Sequence, residues 1–305
     1  MLNFESLAKQ PMHFRSFTGL SVEEARKLVK LVQPDWQRQR KEKLKTDGIR
    51  KPGGGRKLNI PNFADRLLVF LIYAKIYPTY LFLEYLFNVD QSNICHIVKE
   101  MTPLLSASIV INRNHKRVRT LEDLREAIPD LDEVLIDATE QRIPRPEKKR
   151  TRKKHHSGKK KDFTLKEQLV TTRQKIILHV SDSSPGRIHD YKYFKTTGVG
   201  EWLEDNPQIK ARMDLGYLGA NDDYPLADIV LPVKRTRAKK ELSRSEKIMN
   251  TRKARARMPV ENNIANLKKF KILADKYRNL KEHYSAIFKS VCFLSNVRTL
   301  ERLPA

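Results

Sequence analysis

The hydrophobic period of this chain changes near residue 131, and no single-period fold accommodates both sides of the change. Up to about residue 125 the apolar residues recur at the spacing of one helix face. Beyond residue 131 they gather in short β-branched runs closed by turn residues. In the first part, Ser21 and Glu24 form a capping box ahead of Ala25, Leu28, Val29 and Val32. Residues 51–57 interrupt the helices with three glycines flanked by cations, among them Arg56 and Lys57, which suits a flexible turn beside phosphates. An apolar helix resumes at 61–75 and ends before Pro78. A second apolar group follows at 80–87, then a polar link at 88–90. A third helix runs from Gln91 to about Leu105, bent at Pro103, with Ile94, Ile97, Val98, Met101 and Leu105 on one stripe. In the second part, runs at 131–139, 175–180, 209–214 and 228–233 read as strands, residues 190–196 as a short helix, and Pro259 opens a helical tail to about Leu300. Such alternation predicts an α/β domain with one mixed sheet over residues 126–305, preceded by an all-α domain over residues 1–125.

Composition narrows the partner. The 305 residues carry 61 Lys+Arg against 36 Asp+Glu, a net charge of +25. Self-repulsion of that size weakens a compact state unless a polyanion offsets it, so nucleic acid is the first partner to expect. Cys95 and Cys292 supply neither a disulfide framework nor a cysteine zinc site, which fits a reducing compartment. The first five residues lack a secretory pattern. The longest apolar stretch, at 67–74, is too short to span a bilayer and is followed by Lys75. A soluble, cytoplasmic protein without membrane contact is predicted.

Two regions are placed to meet DNA. The helix, tight link and second helix over residues 80–105 have the outline of a helix-turn-helix, whose second helix presents its N-terminal side chains to base edges in the major groove. Those side chains are Gln91, Ser92, Asn93 and His96. The bland alternative is an ordinary antiparallel helix pair; the net charge favours DNA. Between Arg145 and Lys161 there are ten cations, Lys153, Lys154, Lys159 and Lys160 among them, against the single Glu147. A run of this kind is ordinarily a solvated loop. Here it leaves the strand that carries Asp137, and His155 and His156 within it are expected to share its DNA contacts. A second basic stretch occupies residues 234–257.

An aspartate inside an apolar strand is costly unless it is paired or binds a metal. Asp137 occupies such a place, Asp214 ends a second strand, and Glu261 lies just past Pro259. Taken singly, they read as a turn cap, a strand-end turn and a helix-dipole partner. Together they match the needs of hard divalent cations, which take oxygen ligands and commonly only one or two carboxylates each. Three carboxylates suffice for two Mg²⁺ or Mn²⁺ ions about 4 Å apart, serving in-line displacement at phosphorus. The carboxyl groups are therefore expected to converge about 4 to 8 Å from one another. His189-Asp190 follows a Pro-Gly turn, with Asp190 expected as a helix N-cap.

Segments in a fixed order carry a resemblance over residues 14–300. They include residues 17–21, 52–57, 65–68 and 77–80, then Ile136-Asp137-Ala138-Thr139-Glu140, residues 157–161, Pro185-Gly186-Arg187-Ile188-His189-Asp190, Asp214-Leu215-Gly216-Tyr217-Leu218-Gly219, and Val260-Glu261 leading to Leu267-Lys268. The chain resembles DDE-type transposases of bacterial insertion sequences, the IS-five group with an N-terminal helix-turn-helix. The resemblance implies a ribonuclease-H-like, retroviral-integrase-like core in which Asp137, Asp214 and Glu261 are the catalytic, metal-binding triad. It also implies a signature of Tyr, Arg, Glu and Lys around the glutamate. Arg257, Glu261 and Lys268 match its spacing, while Ala254 stands at the tyrosine position. Arg257 precedes Pro259, outside the expected helix; Glu261 and Lys268, seven apart, share a helix face. The function implied is a transposase that binds terminal inverted repeats in double-stranded DNA, cuts at their ends and transfers the strand. A homodimer or larger synaptic assembly in a bacterial, nucleoid-associated setting goes with it. The alternative is a non-catalytic or domesticated DNA-binding protein.

Overall fold

The computed structural model describes residues 2–46, 58–107, 110–111, 117–118, 131–236, 241–300 and 302. The glycine-rich segment with Arg56 and Lys57, the expected domain boundary at 125/126, and residues 237–240 of the second basic stretch lie outside the described residues.

Among the described residues the chain opens with α1 (Phe4–Ala8), α2 (Pro11–Thr18), α3 (Val22–Thr46), α4 (Phe63–Ile76), α5 (Tyr80–Phe87) and α6 (Gln91–Ser106). Their ends follow the local chemistry. Asn62 caps α4 through the Ala64 N–H and Thr79 caps α5 through the Phe82 N–H. Asn88, at φ 50°, makes the left-handed turn between α5 and α6, and Asp90 caps α6 through the Ser92 N–H. The stripe Ile94, Ile97, Val98, Met101 and Leu105 is buried as its spacing requires. The half-buried Glu100 carboxylate accepts from Trp36 Nε1 at 2.9 Å and Arg66 Nε at 3.0 Å, which ties α3, α4 and α6 together. The helical reading of residues 107–125 is corrected in part: Val110–Ile111 (β1) and Arg117–Val118 (β2) pair antiparallel.

The main sheet is built on β3 (Glu133–Arg142). On one side β3 pairs antiparallel with β5 (Asp162–Thr171), which also carries β4 (His156–Ser157), β6 (Ile177–Val180) and β7 (Ser184–Pro185). On the other side β3 pairs parallel with β8 (Lys210–Arg212), and β8 with β9 (Ile229–Val230). This is the mixed sheet with flanking helices expected of a ribonuclease-H-like core. Sequence reading missed β5, the strand with the most partners, because Lys166, Glu167 and Gln168 interrupt its apolar pattern, although all three are buried.

Side-chain alternation gives the sheet two apolar faces. Val134, Ile136, Val170 and Leu178 pack with Phe194, Trp202 and Tyr217 on one. Leu165, Leu169, Ile177 and Val180 on the other join a cluster that also holds Phe70, Met101 and Phe293. The helix Tyr284–Leu300 links the sheet to the N-terminal helices within that cluster. Asn296 exchanges two hydrogen bonds with the Ile177 backbone, at 2.8 and 2.7 Å, and the Ser290 hydroxyl donates to the Thr102 carbonyl at 3.1 Å.

Two further expectations need correction. The helix bearing Glu261 runs from Arg244 to Leu267 and starts at a capping box of Ser243 and Glu246, so Pro259 lies in its interior. A proline there removes one backbone hydrogen bond, and the distant cap together with the buried Val260, Asn263 and Leu267 holds the helix through it. The tail beyond is not one helix, since Lys271–Ala274 and Tyr284–Leu300 are separate. Part of the first basic run is also ordered as a helix, Lys149–His155.

Candidate active site

Parallel pairing of β3 with β8 sets the geometry of the site. Leu135 pairs with Arg212, the last pair of the two strands, and Asp137 and Asp214 each lie two residues beyond it. Asp214 lies just beyond β8, where its Oδ1 accepts the Gly216 N–H at 2.8 Å and caps the turn Leu215–Tyr217. Asp137 follows the fully buried Ile136, and its Oδ1 accepts the Ala138 N–H at 2.8 Å. Burial pushes the Asp137 carboxyl up to about 6; the charges of Asp214 and Asp190 add to the rise, and the Ala138 N–H and Arg257 oppose it. Two of the three expected carboxylates thus act on each other, and Arg257 only partly offsets their repulsion.

Glu261 and Asp137 line one cleft of about 210 Å³, together with Lys159, Lys160, Asp190 and Lys268. Glu261 is half exposed and pairs along its own helix with Arg257, whose Nη2 lies 3.3 Å from Glu261 Oε1. Arg257 is therefore inside the helix, not ahead of it. Lys268 caps the C-terminus of that helix. Burial lowers its ammonium pKa, as does Lys160, while Glu140 and Asp137 act in the opposite sense.

Asp137 and Glu261 share the cleft, while the Glu261 carboxylate is engaged with Arg257. Among the described residues, no three His, Cys, Asp or Glu side chains stand close enough to hold a metal ion. The physical reason is local: without a cation between them the carboxylates repel, and Glu261 takes the arginine one turn away. The donor chemistry nonetheless suits a hard divalent cation, because the acidic groups offer oxygen alone and, among the described residues, neither Asp137 nor Asp214 is engaged in a salt bridge.

Lys159 and Lys160 are exposed at the cleft. Lys153 and Lys154 are exposed on the helix Lys149–His155. His155 is buried, with Nδ1 2.9 Å from the Thr151 carbonyl, so it is not free to meet DNA. At the start of α6, Gln91, Ser92 and His96 are exposed and Asn93 half-buried, although the Ser92 hydroxyl is spent on Asp90.

Sequence reading overlooked the polar network beneath the cleft. Lys166 on β5 is buried, and its Nζ donates to Asp190 Oδ1 at 2.5 Å and to the Ile188 carbonyl at 2.6 Å, with Glu140 Oε1 at 3.9 Å. Asp190 is not the N-cap: His189 holds that position, without a side-chain hydrogen bond, and Asp190 is the first residue of the helix Asp190–Phe194. The Tyr217 hydroxyl is fully buried without a partner. Burial drives its pKa well above the ordinary value, and the charges of Asp137, Asp190 and Asp214 drive it further.

Comparison with known proteins bears on this cleft. Residues 136–296 match the family model described as DDE superfamily endonuclease, and residues 60–110 match the helix-turn-helix of DDE superfamily endonuclease. The chain is 33% identical over 116 residues to the probable transposase for insertion sequence element IS702 of Microchaete diplosiphon, a match covering 36% of this chain and 40% of that protein. The match thus spans well under half of the curated relative. No solved structure matches the chain.

Proposed function

The chain belongs to the DDE superfamily endonucleases, and from that premise we propose that it is a DNA transposase whose cleft hydrolyses a phosphodiester and then transfers the freed strand. The observation that carries this reading is that Asp137 and Asp214, each two residues past the last paired position Leu135–Arg212, act on each other's charge, with Asp137 in a lysine-edged cleft. Asp137, Asp214 and Glu261 are the proposed ligands for two divalent cations, Mg²⁺ or Mn²⁺. When bound, such cations supply the positive charge that polarises the phosphodiester and makes a water or a 3′-hydroxyl nucleophilic.

The chain's own residues do the remaining work. Glu261 leaves Arg257 to face the cleft, and the released guanidinium becomes available to a phosphate. Lys159, Lys160 and Lys268 hold the DNA backbone against the acidic floor, with Lys153 and Lys154 extending that surface. Gln91, Ser92, Asn93 and His96 read the inverted repeat from the start of α6, and Arg56 and Lys57 contact phosphates. In the first step a water oxygen attacks phosphorus and the bridging 3′ oxygen leaves as a 3′-hydroxyl. In the second that hydroxyl attacks a target phosphodiester, whose own 3′ oxygen leaves. Two ends must be cut in concert, so a homodimer is the smallest assembly proposed. Among the described residues no helix is long and apolar enough to cross a membrane.

A nicking assay on an inverted-repeat end in Mg²⁺ or Mn²⁺ tests the proposal, with Asp137→Ala as the comparison. Cleavage by the native chain and none by the variant is expected. Equal cleavage by both would remove the mechanism.

A further inference from the structure

Asp190 was expected to be a structural cap, yet its surroundings are those of a working carboxylate. Its two oxygens are used differently. Oδ1 receives the Lys166 ammonium at 2.5 Å. Oδ2 faces away from that pair toward Gly216, where a methyl group would sit 3.0 Å from Asp190 Oδ2 and 2.8 Å from Asp214 Oδ1. Two carboxylates from separate elements therefore press on the same small space, and only a glycine leaves that space open. Lys166 is buried and near two acids, with Glu140 Oε1 at 3.9 Å, so it cannot neutralise the group of Asp137, Asp190 and Asp214. The Tyr217 hydroxyl provides a second, independent sign. It is fully buried, has no hydrogen-bond partner, and lies in the field of all three aspartates. A buried hydroxyl is ordinarily satisfied by protein or by ordered water. Here the hydroxyl lacks any such partner among the described residues while the three acids act on it.

We propose that Asp190 is a fourth carboxylate of the cleft and that, together with Asp214, it holds one hard divalent cation. The inference rests on the cation-dependent nuclease reading above and adds a ligand to it. A cation of this kind commonly takes one or two carboxylates and completes its shell with water, so a pair of aspartates is sufficient and no third acid need reach the same point. The part of Lys166 is to fix the Asp190 carboxylate through one oxygen and leave the other free, which makes it a positioning residue.

The test is Mn²⁺ binding by the full chain without DNA, followed by calorimetry and by the electron paramagnetic resonance of free Mn²⁺. Asp190→Asn is compared with Asp137→Asn and Asp214→Asn. Loss of about tenfold or more in Mn²⁺ affinity in Asp190→Asn, similar to that in Asp214→Asn, is expected. If Asp190→Asn binds Mn²⁺ like the native chain while Asp214→Asn does not, Asp190 serves only Lys166, and the inference fails with the nuclease reading intact. Native-like binding in all three would sink both. Asp190→Asn leaves a buried ammonium unpaired, so the double variant Lys166→Met with Asp190→Asn guards against misfolding. If that variant melts like the native chain and keeps its Mn²⁺ affinity, the proposal is overturned.

Discussion

Replacing Glu167 by glutamine should stabilise this protein, and increasingly so as the pH rises. Glu167 lies on β5 opposite Thr139 and is fully buried. The Ser183 hydroxyl donates to Oε1, while Oε2 has no partner. Burial pushes its carboxyl from 4.5 up to about 8; Ser183 and Lys289 pull it down by less, and Asp182 adds to the rise. The sign follows from proton counts. Below pH 4.5 both states hold the proton; between 4.5 and about 8 the folded state keeps it while the unfolded chain has lost it, so stability falls through that window. At pH 7 the accumulated loss is about 3 kcal/mol. Glutamine has nearly the same shape, accepts the same Ser183 hydrogen bond and does not ionise. Its advantage should therefore be near zero close to pH 4.5 and approach about 3 kcal/mol at pH 7. Urea unfolding of both chains at several pH values between 5 and 8 measures the difference. Parallel stability curves, with a gap that does not widen with pH, would refute the burial argument.

Two other perturbations test the cleft. Gly216→Ala places a methyl 2.8 Å from Asp214 Oδ1 and 3.0 Å from Asp190 Oδ2, so both carboxylates must move; the nicking rate should drop about a hundredfold, measured beside a melting curve that stays near native. Replacing both Lys159 and Lys160 by alanine removes two exposed cations from the cleft edge, so the slope of log affinity for duplex DNA against log salt should become shallower by about 2, read by fluorescence anisotropy.

What could be read from the sequence depended on whether local pattern and tertiary role agreed. In α6 they agree, since the stripe from Ile94 to Leu105 that faces the core has the helical period. Asp137 was legible for the opposite reason, as a charge set within an apolar strand. β5 escaped because its middle holds Lys166, Glu167 and Gln168, whose burial depends on partners elsewhere: Asp190, Ser183 and Thr197. No local window contains those pairings. The same holds for Asp190, whose place after a Pro-Gly turn reads as a cap until β5 brings Lys166 to it. Pro259 misplaced the start of its helix because a strong local breaker was outweighed by the Ser243 and Glu246 cap and by the buried Val260, Asn263 and Leu267 beyond it.

The electrostatics of the cleft set two needs against each other. A surface that gathers DNA must be cationic, and such a surface repels divalent cations; a floor that gathers cations must be acidic, and such a floor repels DNA. At physiological salt the screening length is about 8 Å, so lysines at the edge of a cleft this small act on its floor as well. Asp137 is pushed up to about 6 all the same, with burial as the largest cause and the Asp214 charge adding to it. Lys166 does not offset this, since its contacts are with Asp190, the Ile188 carbonyl and, more distantly, Glu140. Arg257 is a cation that does act on Asp137, and its pull is smaller than the push of burial and of Asp214.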